Sequence, residues 1–135
     1  MAHIIKAALA YFVTVFGLGF ALGTLRVLVI MPRIGETAAV LLELPVMLAA
    51  SWVVAGWCVR HFAVPVGLPA RLAMGVLAFA LVMVAELALA VLLFGQSPAE
   101  HAEAYRHFAG LAGLAAQFAY ALFPALRRGA AGASA

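Results

Sequence analysis

Four long apolar stretches, separated by three short runs rich in glycine, proline and polar residues, organise this chain. The apolar stretches run over residues 7–31, 34–58, 70–94 and 104–126. Each exceeds the roughly 20 residues that an α-helix needs to cross a hydrocarbon core of about 30 Å. The breaks carry turn chemistry: Pro32 to Gly35, then VPVGLP from Val64 to Pro69, then GQSPAE from Gly95 to Glu100. In the last break Ser97, Pro98 and Glu100 fit the N-cap, N1 and N3 positions of a capping box. The fourth helix is therefore expected to start near Pro98 and rise through a polar first turn. Residues 127–135, RRGAAGASA, form a short polar tail.

Composition turns this pattern into a class. Hydrophobic residues are 68% of the chain and charged residues 10%, where a globular domain is roughly half apolar and about a quarter charged. The predicted fold is all-α, an integral membrane four-helix bundle forming one domain over residues 1–126. With 135 residues in all, no length remains for a soluble catalytic domain. The formal charge of +3 comes from basic residues scattered singly or in one pair, without the clustered face that nucleic acid requires. Cys58 is the one cysteine, so neither an intrachain disulfide nor a CxxC motif is available. The N-terminus imitates a secretory signal, with Lys6, an apolar run and the small residues Ala21 and Gly23. Apolar sequence continues to Met31, which favours a retained first helix. Lys6, Arg60, Arg71, Arg127 and Arg128 flank one side of the spans, while Arg33 and Arg106 flank the other beside Glu36, Glu100 and Glu103. The positive-inside rule then places both termini in the cytoplasm.

Charges also fall inside the apolar stretches. If Ile34 and Gly35 centre a tight antiparallel turn, Arg33 faces Glu36 and Arg26 faces Glu43. Residues 26 and 33, and likewise 36 and 43, are seven apart, two helical turns on one face. The same stripe carries Gly19 and Gly23, a GxxxG spacing suited to close helix packing. Arg26 lies five residues inside Met31, and Glu43 and Glu86 lie eight inside Gly35 and Phe94, about 8 to 12 Å deep at ~1.5 Å per residue. Ionisable groups at such depth are costly unless they meet one another or water, so Arg26 is expected between Glu43 and Glu86. Pro45 frees the Leu41 carbonyl near Glu43. Over Arg26, Arg33, Glu36, Glu43 and Glu86 one negative charge is left over, which a proton or a cation would balance.

The fourth apolar stretch carries small residues, Ala109, Ala112, Gly113 and Ala116, in line with Tyr120. Gln117 and Tyr120 are candidate additional polar lining for the charge cluster, and Gly113 a packing residue. Glu100, Glu103 and His107 follow an i, i+3, i+7 spacing that could face one way as a metal site, although a solvated i, i+3 pairing with Arg106 uses the same residues. No metal site is assigned on that basis. His3, His61, His101 and His107 fall at or near segment ends, unlike haem ligands, and no cofactor is predicted. Several aromatic residues near segment ends, among them Trp57 and Phe62, suit membrane-interface belts. The serines lack a His and acid in any recognisable order and the chain contains no Asp, so no catalytic residue is assigned and enzyme catalysis is not predicted.

The run GLGFALGTLRVLV is similar to the opening of small fluoride channels, but those require an asparagine in the second helix and this chain has none. The longer pattern GFALGTLRVLVIMPRIGETAAVLLELPVML resembles predicted inner-membrane proteins of high-GC proteobacteria that carry no assigned activity. That resemblance covers mainly the first two helices and implies a multi-pass protein of the bacterial inner membrane, with no site residues carried over. Two function classes follow. One is a structural or accessory subunit, held in the lipid bilayer against a larger membrane complex. The other is a small oligomeric transporter or channel, a dimer in the simplest case, with proton or cation coupling through Glu43 and Glu86.

Overall fold

The computed structural model describes residues 2–127; Arg128 and the rest of the polar tail lie outside the described residues. Among these residues the chain is all-helical, with 89% helix and no strand. Four helices are long and apolar enough to cross a membrane: α1, Ala2–Ile34; α2, Glu36–His61; α3, Leu68–Leu92; and α5, Phe108–Leu126. A short α4, Pro98–Glu103, and a 3-10 turn, Ala104–Arg106, precede α5. The long helices run alternately up and down. α1 packs against α2 and α3, and α5 packs against the same two, so α1 and α5 face each other across one diagonal.

The first reversal occurs at one residue. Gly35 has φ 87° and ψ 166°, a region essentially closed to residues with a Cβ, and its N–H donates to the Met31 carbonyl at 2.8 Å. α1 therefore runs through Pro32 to Ile34, rather than ending near residue 31. This is possible because Arg26–Ile30 is a π-helical segment, closed by the Met31 N–H donating to the Arg26 carbonyl. Pro32 supplies a local cause: it has no N–H for the Leu28 carbonyl and its ring crowds that carbonyl, so the α-ladder is interrupted just before it.

The last long helix starts later than its apolar stretch does. Ser97 accepts from the Glu100 N–H at 3.1 Å as an N-cap of α4, but the helix does not continue into the bundle. His107 is extended, at φ −95° and ψ 154°, and α5 begins after it. The chain folds back so closely that a Cβ on Gly110 would overlap the Ala104 carbonyl.

The tightly packed core occupies the half of the bundle nearer the α2–α3 loop, here the Phe62 end. Ala7, Ala8 and Tyr11 of α1, Ala55 and Cys58 of α2, and Met74 and Ala78 of α3 have no exposed surface. α3 and α5 approach closest at Gly75, where a Cβ would overlap the Ala121 carbonyl. Tyr11 stacks on Tyr120 with ring centroids 4.1 Å apart, and its hydroxyl donates to the Tyr120 carbonyl at 2.6 Å. That carbonyl is the one Pro124 frees, since a proline cannot donate to the residue four back. The loop itself is tied from inside: Arg71, 1% exposed, donates through Nε to the Pro65 carbonyl and through Nη2 to the Val64 carbonyl. His3 donates through Nδ1 to the Phe62 carbonyl at 3.0 Å, fastening the start of α1.

The glycines expected to bring helices together do something else. Beyond Gly19 lies the flexible Met47 methyl, beyond Gly23 only Arg26 of the same helix, and beyond Gly113 open space. The stripe of small residues therefore opens a space between the helices instead of closing one, and the backbone contact belongs to Gly75.

Candidate functional site

In the half of the bundle nearer Gly35 the helices surround a cavity of about 600 Å³. Its walls come from all four long helices and from the segment before α5. Val15, Phe16 and Phe20 of α1, Met47 of α2, Val82 of α3 and Leu114 of α5 make most of the surface apolar. Arg26, Glu36, Glu43, Ser51, Glu86, Gln117 and Tyr120 also line it, as do His101, Tyr105 and His107 from the segment before α5. Side chains from every long helix, the expected cluster of Arg26, Glu43 and Glu86 with Gln117 and Tyr120 included, thus meet around one space.

Two polar pairs form within it. The antiparallel register about Gly35 brings Arg26 against Glu43, with Nε 2.7 Å from Oε2 and the side chains 26% and 16% exposed. The Nε–H is not aligned on the oxygen, so the contact is an ion pair without a directed hydrogen bond. Glu86 does not join it. Its Oε1 accepts from Gln117 Nε2 at 2.6 Å, and no ion pair links Glu86 to a cation among the described residues. The expectation of Arg26 between two glutamates is corrected accordingly. The physical reason is the late start of α5 at Phe108, which raises Gln117 to the level of Glu86 and gives the carboxylate a neutral donor.

The second expected pair is also corrected. Among the described residues no ion pair joins Arg33 to Glu36, and both are exposed. A π-helical turn needs more residues than an α-helical one, so the segment after Arg26 rotates Arg33 off the face that Arg26 occupies. Reversal at the single residue Gly35 then lets the two side chains diverge. Glu36 nevertheless borders the cavity.

The possible metal set does not assemble. No group of three His, Cys, Asp or Glu residues suited to a metal occurs among the described residues. The break at His107 destroys the i, i+3, i+7 face, leaving Glu100 and Glu103 on α4 and the Glu103–Arg106 contact, 3.6 Å long, in the open.

Gln117 and Tyr120, three residues apart on one face of α5, contribute the least satisfied atoms. Gln117 Oε1 and the Tyr120 hydroxyl are buried and have no hydrogen-bond partner among the described residues, and Tyr120 as a whole is only 4% exposed. Buried polar atoms are nearly always paired, so such orphans call for a partner. Burial first and the Glu86 carboxylate second push the Tyr105 phenol above its ordinary value, keeping it a neutral hydroxyl able to donate.

Three features escaped a reading of the sequence: the Arg71 loop tie, the Gly75 contact and the cavity. The Tyr11 bond to the Tyr120 carbonyl escaped it too, although Pro124 was a legible signal for it, because a proline inside a helix announces a free carbonyl four residues earlier. Comparisons with protein-family models, with curated proteins and with solved structures give no match.

Proposed function

We propose that this is an integral membrane protein that receives a small-molecule ligand in the chamber between its helices, as a transporter or a ligand-binding membrane subunit. Membrane insertion is supported by the outer surface. Leu28 of α1, Val53 of α2 and Val84 and Leu92 of α3 are 64–79% exposed, and such a surface is stable against lipid rather than water. By the positive-inside rule both termini are cytoplasmic, which opens the chamber toward the outer side. The resemblance of the first two helices to predicted inner-membrane proteins supports a bacterial inner membrane as its location.

The observation that carries the ligand reading is the lining of the cavity. A chamber of about 600 Å³ with apolar walls and a few convergent polar groups is the usual form of a small-molecule site, including sites between helices of a bundle. The Arg26–Glu43 pair balances its own charges and leaves Glu86 with a neutral donor and Gln117 Oε1 and the Tyr120 hydroxyl without a partner among the described residues. Glu86, rather than Glu43, is the group positioned for charge exchange. The walls come from one chain, so a second copy is not needed to form the chamber.

Cysteine accessibility tests this. In a Cys58→Ala background, Gly113→Cys should react with a charged, membrane-impermeant thiol reagent added from outside, whereas Ala78→Cys in the packed half should stay inert. Absence of labelling at Gly113→Cys in folded protein would rule out a chamber reached from that side.

A further inference from the structure

The chamber's polar groups specify a charge and a hydrogen-bonding sense. We propose that it binds an organic ammonium ion, whose N–H groups meet Glu86, Gln117 Oε1 and the Tyr120 hydroxyl while its hydrocarbon part fills the apolar walls. This rests on the chamber being a ligand site. Gln117 commits its amide N–H to Glu86, so what it offers to the chamber is an acceptor. Tyr120 is more than nine-tenths buried, lines the chamber, and has a hydroxyl without a partner. Glu86 has a neutral donor and, among the described residues, no cation partner. The three unsatisfied capacities are thus an amide oxygen, a hydroxyl that can accept, and the charge of a carboxylate.

Other ligand classes fit less well. An anion would meet Glu86 and Glu36 with the one lining arginine already held by Glu43. A neutral ligand would leave the Glu86 charge uncompensated in an apolar surround. A bare metal ion needs several oxygen ligands at short range, and no group of three His, Cys, Asp or Glu residues suited to one occurs among the described residues. The space is also far larger than an ion, and Phe16, Phe20, Met47 and Leu114 provide walls for carbon. An ammonium with three donors satisfies the carboxylate and both orphaned atoms together.

The test uses the full chain in nanodiscs and isothermal titration with phenethylammonium chloride, with 2-phenylethanol as the uncharged counterpart and sodium chloride as the inorganic control. The expected result is saturable 1:1 binding of the ammonium, about tenfold or more tighter than the alcohol, as one charge-assisted hydrogen bond warrants. Glu86→Gln, which keeps the shape and the bond from Gln117, should abolish that preference. Tyr120→Phe should weaken the ammonium several-fold. If Glu86→Gln does not fold, Glu86→Asp withdraws the carboxylate and should also weaken binding. Equal affinity for ammonium and alcohol, or ammonium affinity unchanged by these variants, would overturn the inference. If both probes bind equally and Gly113→Leu removes both, the chamber stands and its cation preference falls. If the ammonium fails to bind while Gly113→Cys is labelled from outside, the inference again falls and the chamber stands. If neither probe binds and Gly113→Cys is inert, both fall.

Discussion

The two halves of the bundle are made from the same four helices and nearly the same composition, yet one is closed and the other hollow. At the Phe62 end, Tyr11, Cys58, Met74 and Ala78 are fully buried, and Gly75 lets α3 and α5 touch through backbone. At the Gly35 end Gly113 of α5 faces open space. Small residues therefore have no fixed meaning. They draw helices together where nothing holds the helices apart, and they leave a void where a π-helical turn and a late helix start set the helix ends at a distance. The polar chemistry divides in the same way. The Tyr11 hydroxyl is spent on a carbonyl left free by Pro124, whereas the Tyr120 hydroxyl, on the floor between the halves, is left unspent.

Equal substitutions in the two halves sharpen this contrast. Gly75→Leu should have the largest effect, because every added atom meets the Ala121 backbone; a loss above about 3 kcal/mol, seen as failure to give a cooperative melt in detergent, is expected for such overpacking. Tyr11→Phe comes next. It leaves the buried Tyr120 carbonyl without a donor and should cost about 1–3 kcal/mol, read as a lowered melting temperature. Arg26→Gln should cost about 1–2 kcal/mol, since the pair is partly exposed and so weaker than a fully buried one. The double variant Arg26→Gln with Glu43→Gln should regain most of that loss, because no charge is then stranded. The smallest effects belong to the hollow half. Gly113→Leu and Tyr120→Phe should each alter stability by under about 1 kcal/mol, the first entering empty space and the second removing a hydroxyl that bonds to nothing. If Gly113→Leu melts like Gly75→Leu, or if Tyr120→Phe costs as much as Tyr11→Phe, the two halves are not different in kind.

One charge pair was legible before any coordinates, and it shows why the rest was not. Arg26 and Glu43 lie on consecutive helices joined by a short turn, so their heights follow from counting outward from Gly35. Glu86 lies on a helix reached through a loop, and Gln117 on one reached through a second helix break, so counting along the chain accumulates error at each connection. Arg33 and Glu36 were close enough to count, but the π-helical segment changed the rotation on which the count depends.

By itself, the amino-acid sequence determined the helical class, the number of long apolar helices, the glycine turn and the Ser97 cap, because these depend on local backbone preferences and on runs of apolar residues. Tertiary structure alone decided that Glu86 meets Gln117, that Arg71 is a loop anchor, that Gly75 is the close contact, and that a chamber exists. Those features depend on the relative rotation and translation of helices distant along the chain. A shift of one residue in where a helix begins turns its side chains by about 100°, enough to exchange a packed face for an open one.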